Sequence, residues 1–172
     1  MGDNKRNGSS RTPLSALLRA PRGHVDVTRL DTNSAPGYPG EGKDDADEHV
    51  AAIDPELSDL QEMLFAHGRA NPDRAPRVLV VLQGMDAAGK GGVLRHAIGL
   101  VDPHGVQHKA FKAPTREELA HHYLWRIERE LPAPGMIGVF DRSHYEDVLV
   151  VRVEHLVAEP VWSQRYDEIN EW

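Results

Sequence analysis

Residues 78–92 read Val78-Leu79-Val80-Val81-Leu82-Gln83-Gly84-Met85-Asp86-Ala87-Ala88-Gly89-Lys90-Gly91-Gly92. Five apolar residues, three of them β-branched, suit a strand buried on both faces of a parallel sheet. After the glycine loop, Val93, Leu94, Ala97, Ile98 and Val101 recur at helical spacing until Asp102-Pro103 stops the pattern. Strand, glycine loop with lysine, then helix is the order of a phosphate-binding loop. Gly84, Gly89 and Gly91 let the backbone curl, so that N–H groups through Ala87 and Ala88 turn toward an oxyanion while Lys90 adds a full positive charge. A G-x-x-x-x-G-K string also arises as an ordinary turn. The flanking strand and helix favour phosphate.

The commonest form of such a loop places Ser or Thr after the lysine to hold Mg²⁺, and here that position is Gly91. Asp86 sits inside the loop instead. A carboxylate beside a phosphate repels it unless a cation lies between them, so Asp86 predicts a metal. A second buried strand is expected over 136–140, with Asp141 at its carboxyl end, where ligands gather in open α/β sheets. Asp141 is the expected second metal ligand. Its alternative role as a helix cap is disfavoured because Ser143 and Glu146 have the spacing of a capping box. Glu146 itself has two readings, that cap or a contact to nucleotide or metal-bound water.

Four segments together resemble the polyphosphate kinase 2 family, in its polyphosphate:nucleotide phosphotransferase branch. They are Gly84 to Gly92, Phe111-Lys112-Ala113-Pro114-Thr115, Tyr123-Leu124-Trp125-Arg126, and Phe140-Asp141-Arg142-Ser143-His144-Tyr145-Glu146-Asp147-Val148-Leu149. The resemblance covers roughly residues 54–172. It implies an α/β P-loop kinase fold, a parallel sheet flanked by helices. It also implies phosphoryl transfer between inorganic polyphosphate and AMP or ADP, with ATP among the nucleotides, using magnesium or manganese. By position, Asp86 and Asp141 would hold the metal, Lys90 would bridge phosphates, and Arg142 would steady the transferring group. The physics agrees, because phosphoryl transfer needs in-line positioning and cations around the equatorial oxygens more than covalent help.

This chain departs from the family pattern at His122, where Asp is usual, and in length. The pattern continues past Arg165-Tyr166-Asp167-Glu168-Ile169-Asn170 into further strands and an arginine-bearing lid, so the fold is expected to be incomplete at the C-terminal end. Two other readings stand beside the leading one. One is an ATP-dependent small nucleotide kinase, and the other is a catalytically silent nucleotide- or phosphate-binding fragment.

At 172 residues with 40% hydrophobic content the chain can bury one core. Residues 1–50, rich in Gly, Pro, Ser and charge, read as a disordered or loosely docked arm, and 51–172 as the partial P-loop domain. In the arm, Leu14, Leu17 and Leu18 are either one docked helical turn or stray apolar residues. The acidic run Asp44 to Glu48 reads as solvated charge. Asp54 and Pro55 are expected to start a helix carrying Leu57, Leu60 and Leu64 on one face and ending at Gly68. Val106, His108 and Ala110 alternate as in a strand, with Lys109 and Lys112 near the strand exit as candidate substrate contacts. Thr115 and Glu118 form a capping box for one helix bearing Leu119, Tyr123, Ile127 and Leu131, and Arg126 is a candidate contact if it faces the cleft. Residues 148–151 suit strand or helix, and helix is expected from the family pattern.

No cysteine is present, which excludes thiolate zinc sites and disulfides. The ten histidines show no chelating spacing. A net charge of −7 argues against a nucleic-acid binder. It permits a polyanionic substrate in a locally basic cleft. No apolar run reaches membrane-spanning length and no secretory signal opens the chain, so a cytoplasmic protein with no membrane partner is expected, and a homo-oligomer from the family pattern.

Overall fold

Val78–Leu82, Val106–Ala110 and Ile137–Asp141 form strands β1, β2 and β3 of one parallel sheet in the order β1-β3-β2. The computed structural model describes residues 12–42 and 45–172, which fall into two units, 1–47 and 48–172. In the second unit, β3 is central and buried along its middle, as its apolar residues require. Strand β1, expected to be covered on both faces, lies at a sheet edge among the described residues and is half-exposed. Val81, Phe140 and Lys109 share one register row, so they share one face.

The core grows on that face. Phe111 and Phe140 meet edge to face with centroids 4.9 Å apart, joined by Tyr123, Leu124 and Ile127, with Leu79, Val81, Leu131 and Ile169 packed around them. Phe140 and Ile127 are fully buried, and truncation to Ala would cost about 3–5 kcal/mol at Phe140 and about 2–5 kcal/mol at Ile127. Gly138, in the middle of β3, admits Pro132, whose ring would lie 2.8 Å from an added Cβ.

The helices depart from the sequence expectations in informative ways. Helix α2 runs Ala46–Ala70, with Pro55 inside it and Asp54 no cap. The missing N–H of Pro55 removes one helical bond, a loss that the packed face beyond it outweighs. That face centres on Gln61 and Gly68, with Leu57 and Leu64 half-buried, whereas Leu60 is 55% exposed. Gly68 does not terminate the helix. It is a contact point, because a Cβ there would sit 2.4 Å from the Pro134 carbonyl oxygen and 2.6 Å from Gly135 Cα.

Helix α3, Lys90–His96, is shorter than the apolar spacing suggests and passes into a 3₁₀ turn at Ile98–Leu100. The single helix expected across 119–131 is broken. A 3₁₀ turn at Glu118–Ala120 precedes an extended His121, and α4 spans only Trp125–Glu128. Leu119 lies on the turn before the break and is 70% exposed. The break lets adjacent Tyr123 and Leu124 both reach the core. The Thr115–Glu118 box does form, at 2.6 and 3.2 Å, and the Thr115 N–H holds the Glu118 carboxyl below its ordinary range. Helices α5, Glu146–Val153, and α6, Glu159–Glu171, complete this unit, so 148–151 is helical.

In the first unit, helix α1 spans Leu14–Leu17 and its leucines lie over Gly37, where a Cβ would come 2.2 Å from Leu14 Cδ2. The acidic run is not simply solvated. Asp45 accepts from the Tyr38 hydroxyl at 2.8 Å and the Glu41 N–H at 2.9 Å, which lowers its pKa, and Ala46–Glu48 open α2. Residues 1–11 of the expected arm, and Asp44, lie outside the described residues. No helix among the described residues is long and apolar enough to cross a membrane.

Two outcomes follow from this packing. Gly68→Ala is expected to lower stability by about 1–3 kcal/mol through overpacking, although Ala is the better helix former by about 1 kcal/mol. Urea unfolding checks it, and a midpoint at or above wild type would show that α2 is free to move off the Pro134-Gly135 loop. His144 is 5% exposed, between Tyr145 and Trp172, and burial holds its imidazole below the ordinary 6.5. Its folded-state pKa is depressed, so its contribution to stability is present above pH 6.5 and is lost as pH falls through the folded value. Melting temperatures from pH 7.5 to 5 should therefore fall more steeply for wild type than for His144→Phe; parallel slopes would refute the assignment.

Candidate functional site

The register Leu82↔Asp141 brings the carboxyl ends of β1 and β3 side by side, and the Arg142 N–H extends it by donating to the Leu82 carbonyl at 3.0 Å. The phosphate-loop candidate therefore leaves the sheet next to the second motif. Residues 83–89 stay irregular, and Ala87 and Gly89 both take positive φ, 65° and 89°. Alternation into the left-handed region turns successive N–H groups to one side, as a nest for an anion requires. Ala88 is tied across this turn by its N–H to the Met85 carbonyl at 3.2 Å. Gly89 is the N-cap of α3, and the helix start carries no side-chain cap bond. Gly84 and Gly91 are exposed on the loop and the first turn.

Lys90 folds over its own loop, donating to the carbonyls of Gly84 at 2.9 Å and Met85 at 3.0 Å. An ammonium has three donors. Two are used in placing it, and one remains.

Arg142 also has positive φ, 64°, an uncommon conformation for a bulky residue that costs about 1–3 kcal/mol. Its guanidinium reaches Asp86 at 3.1 Å and Glu146 at 3.5 Å. The first contact joins residues 56 positions apart. Asp141 ends β3 with one carboxylate oxygen, Oδ1, buried and without a hydrogen-bond partner among the described residues. Such an atom is costly to leave bare, and a divalent cation suits it. Asp86 is exposed on the loop, so two carboxylates offer oxygens of the kind a hard cation takes, although no cluster of three or more His, Cys, Asp or Glu ligands forms among the described residues.

The expected Ser143–Glu146 capping box is absent. Helix α5 starts without a side-chain cap, and Ser143 Oγ accepts from the Tyr145 N–H at 3.2 Å. Glu146 instead accepts from Gln83 Nε2 at 2.6 Å, and Ser143 Oγ donates to Gln83 Oε1 at 3.1 Å. A cavity of about 480 Å³ opens here, lined by Gln83, Gly84, Asp86, Arg142 and Glu146 and by apolar side chains of α5.

Other candidates lie off the cleft. Lys109 shares the core face with Phe140 and pairs with Glu130 at 2.5 Å. Arg126 is 6% exposed, stacked 5.2 Å from the Phe111 ring centroid, and donates to the Lys112 carbonyl at 2.9 Å. It sits beneath the loop rather than in the cleft. Lys112 is exposed just past β2. Gln83 has no role in the sequence reading, where a polar residue ending an apolar run is its one available signal, and Ser143 has there only the role of a cap.

A family model described as polyphosphate kinase 2 matches residues 42–172. An AMP/ADP-polyphosphate phosphotransferase of Meiothermus ruber is 44% identical over 152 residues, 88% of this chain and 54% of that protein. An ADP-polyphosphate phosphotransferase of Rhodopseudomonas palustris is 41% identical over 158 residues, 85% and 52% of the two chains. A crystal structure of polyphosphate kinase 2 from Arthrobacter aurescens TC1 superposes with a TM-score of 0.84 at 47% identity, covering 94% of this chain and 55% of that one. The chain spans about half the length of the curated relatives it matches.

Proposed function

The chain belongs to the polyphosphate kinase 2 family, and from that premise we propose that its site serves phosphoryl transfer between inorganic polyphosphate and a nucleoside mono- or diphosphate, AMP or ADP. The names of the relatives support those substrates. The observation that carries the reading is the Arg142–Asp86 contact at 3.1 Å, in which the glycine loop and the β3 motif meet.

Charge in this reaction spreads over the equatorial oxygens of the moving group, so catalysis is placement plus compensation. The loop N–H groups of Gly84, Ala87, Gly89 and Gly91 are assigned the phosphate cradle, and Ala88, expected among them from the sequence, spends its N–H on the Met85 carbonyl and braces the turn instead. Lys90, pinned by two carbonyls, directs its third donor at a phosphate oxygen. Arg142 keeps donors beyond those on Asp86 and Glu146 and steadies the transferring group. Lys112 adds charge at the exit of β2. Arg126 acts from below by holding the Lys112 carbonyl, whereas Lys109, paired with Glu130 on the core face, has no contact to the site among the described residues.

Enzymes of this family work with a divalent metal. Asp86 and Asp141 would hold it; we read it as magnesium, with manganese the nearest substitute, and when bound it supplies neutralisation of phosphate oxygens beside two carboxylates. We read the setting as the cytoplasm, with no nucleic-acid or membrane partner and with self-association as the family pattern implies.

The test is an assay of the chain with polyphosphate, Mg²⁺ and AMP or ADP, following the nucleotide product. Asp86→Asn and Asp141→Asn are each expected to lower the rate about 100-fold or more, and Lys109→Ala less than about threefold. Faster conversion of AMP with ATP alone would replace the reading by an ATP-dependent kinase. Negligible turnover that Asp86→Asn leaves unchanged, with ADP still bound, would leave only a binding module.

A further inference from the structure

We propose that Gln83 is a positioning residue of this site, the side chain that holds Glu146, and through it Arg142, in register with the phosphate loop. The inference rests on the function proposed above. Gln83 follows β1 directly, at the point where the two strands part. The last backbone tie between them is the Arg142 N–H on the Leu82 carbonyl. Beyond it β1 becomes loop and β3 becomes the turn into α5. The Gln83 amide bridges that fork, donating to Glu146 Oε1 at 2.6 Å and accepting from Ser143 Oγ at 3.1 Å.

The chemistry of the partners allows one orientation of this amide. Ser143 is fully buried, and its hydroxyl, which accepts from the Tyr145 N–H, still has a proton to donate, so it can serve either end of the amide. Glu146, as a carboxylate, accepts only. Glu146 therefore decides the orientation: the Gln83 NH₂ faces it and the carbonyl takes the Ser143 proton, because a flipped amide would set oxygen against carboxylate.

The consequence falls on Arg142. With Oε1 of Glu146 committed to Gln83, Oε2 stands 3.5 Å from the guanidinium, a loose contact, while Asp86 takes another N–H at 3.1 Å. Glu146 thus aims Arg142 without capturing it. Freed from Gln83, the Glu146 carboxylate has both oxygens available for the bidentate pairing with arginine that such groups favour. That pairing would occupy the donors meant for phosphate. A hydrophobic or shorter side chain at position 83 should accordingly weaken anion binding at a group it does not touch.

The experiment uses the chain as it stands, with tripolyphosphate plus Mg²⁺ titrated calorimetrically. Gln83→Leu and Gln83→Asn, the second keeping the amide one methylene short, should each weaken tripolyphosphate about ten-fold. Because Gln83→Leu also strands the buried Ser143 hydroxyl, the double variant with Ser143→Ala should recover melting temperature but not affinity. In a Glu146→Ala background, Gln83→Leu should change affinity less than about two-fold, since the residue it positions is gone. In the ligand-free protein, the Arg142 Nε–H NMR signal, assigned with Arg142→Lys, should move in Gln83→Leu and Gln83→Asn and stay in Ser143→Ala. Wild-type affinity in both Gln83 variants, or an equal loss with and without Glu146, would overturn the positioning role while leaving the phosphate site intact. Wild-type protein that fails to bind tripolyphosphate would instead remove the proposed function and this inference with it.

Discussion

Everything in the site hangs on the parallel pairing of β1 with β3, which seats Leu82 beside Asp141. That register is held by backbone bonds and by burial of the β3 row on the Phe111–Phe140 core, so a slip of one residue would turn Phe140 to the opposite face. It sends two chain segments out of the sheet at one point. One becomes the glycine loop and the other carries Asp141, Arg142 and Glu146. Their side chains meet because the strands beneath them are aligned, and exposed ion pairs such as Arg142–Asp86 add little to stability by themselves.

The cations of the site are already engaged by groups of the chain. Lys90 rests on two loop carbonyls, and Arg142 lies between Asp86 and Glu146. Such contacts place a charge without exhausting its donors, so long side chains that would otherwise be mobile are ordered before any anion arrives. Positive φ at Ala87 and Arg142 marks where the backbone has been bent to achieve this. Asp141, with a buried oxygen that no donor among the described residues meets, is the complementary feature, a negative group suited to a metal ion.

Much of this was legible in the residues. The strand-loop-helix order, the carboxylate inside the loop and Asp141 after an apolar run all came from local pattern, and the structure keeps them as strand ends and an irregular loop. Readings failed where one local signal admits two tertiary uses. Gly68 has the look of a helix terminator and is a close-approach point; Ser143 and Glu146 have capping-box spacing yet turn to Gln83. Arg126 was left open between solvent and cleft and is buried against Phe111, because cation–π contact and the Lys112 carbonyl satisfy it there.

By itself the amino-acid sequence determined the parallel α/β class, the phosphate-loop candidate and the family, because periodicity, glycine placement and motif spacing are properties of contiguous residues. The tertiary structure alone decided that β3 lies between β1 and β2, that Lys109 belongs to the core face, and that Gln83, Glu146, Arg142 and Asp86 form one connected line. The reason is physical. A hydrogen bond between residues 63 positions apart depends on strand register and on which rotamers the packed core leaves open, and no window of sequence encodes either.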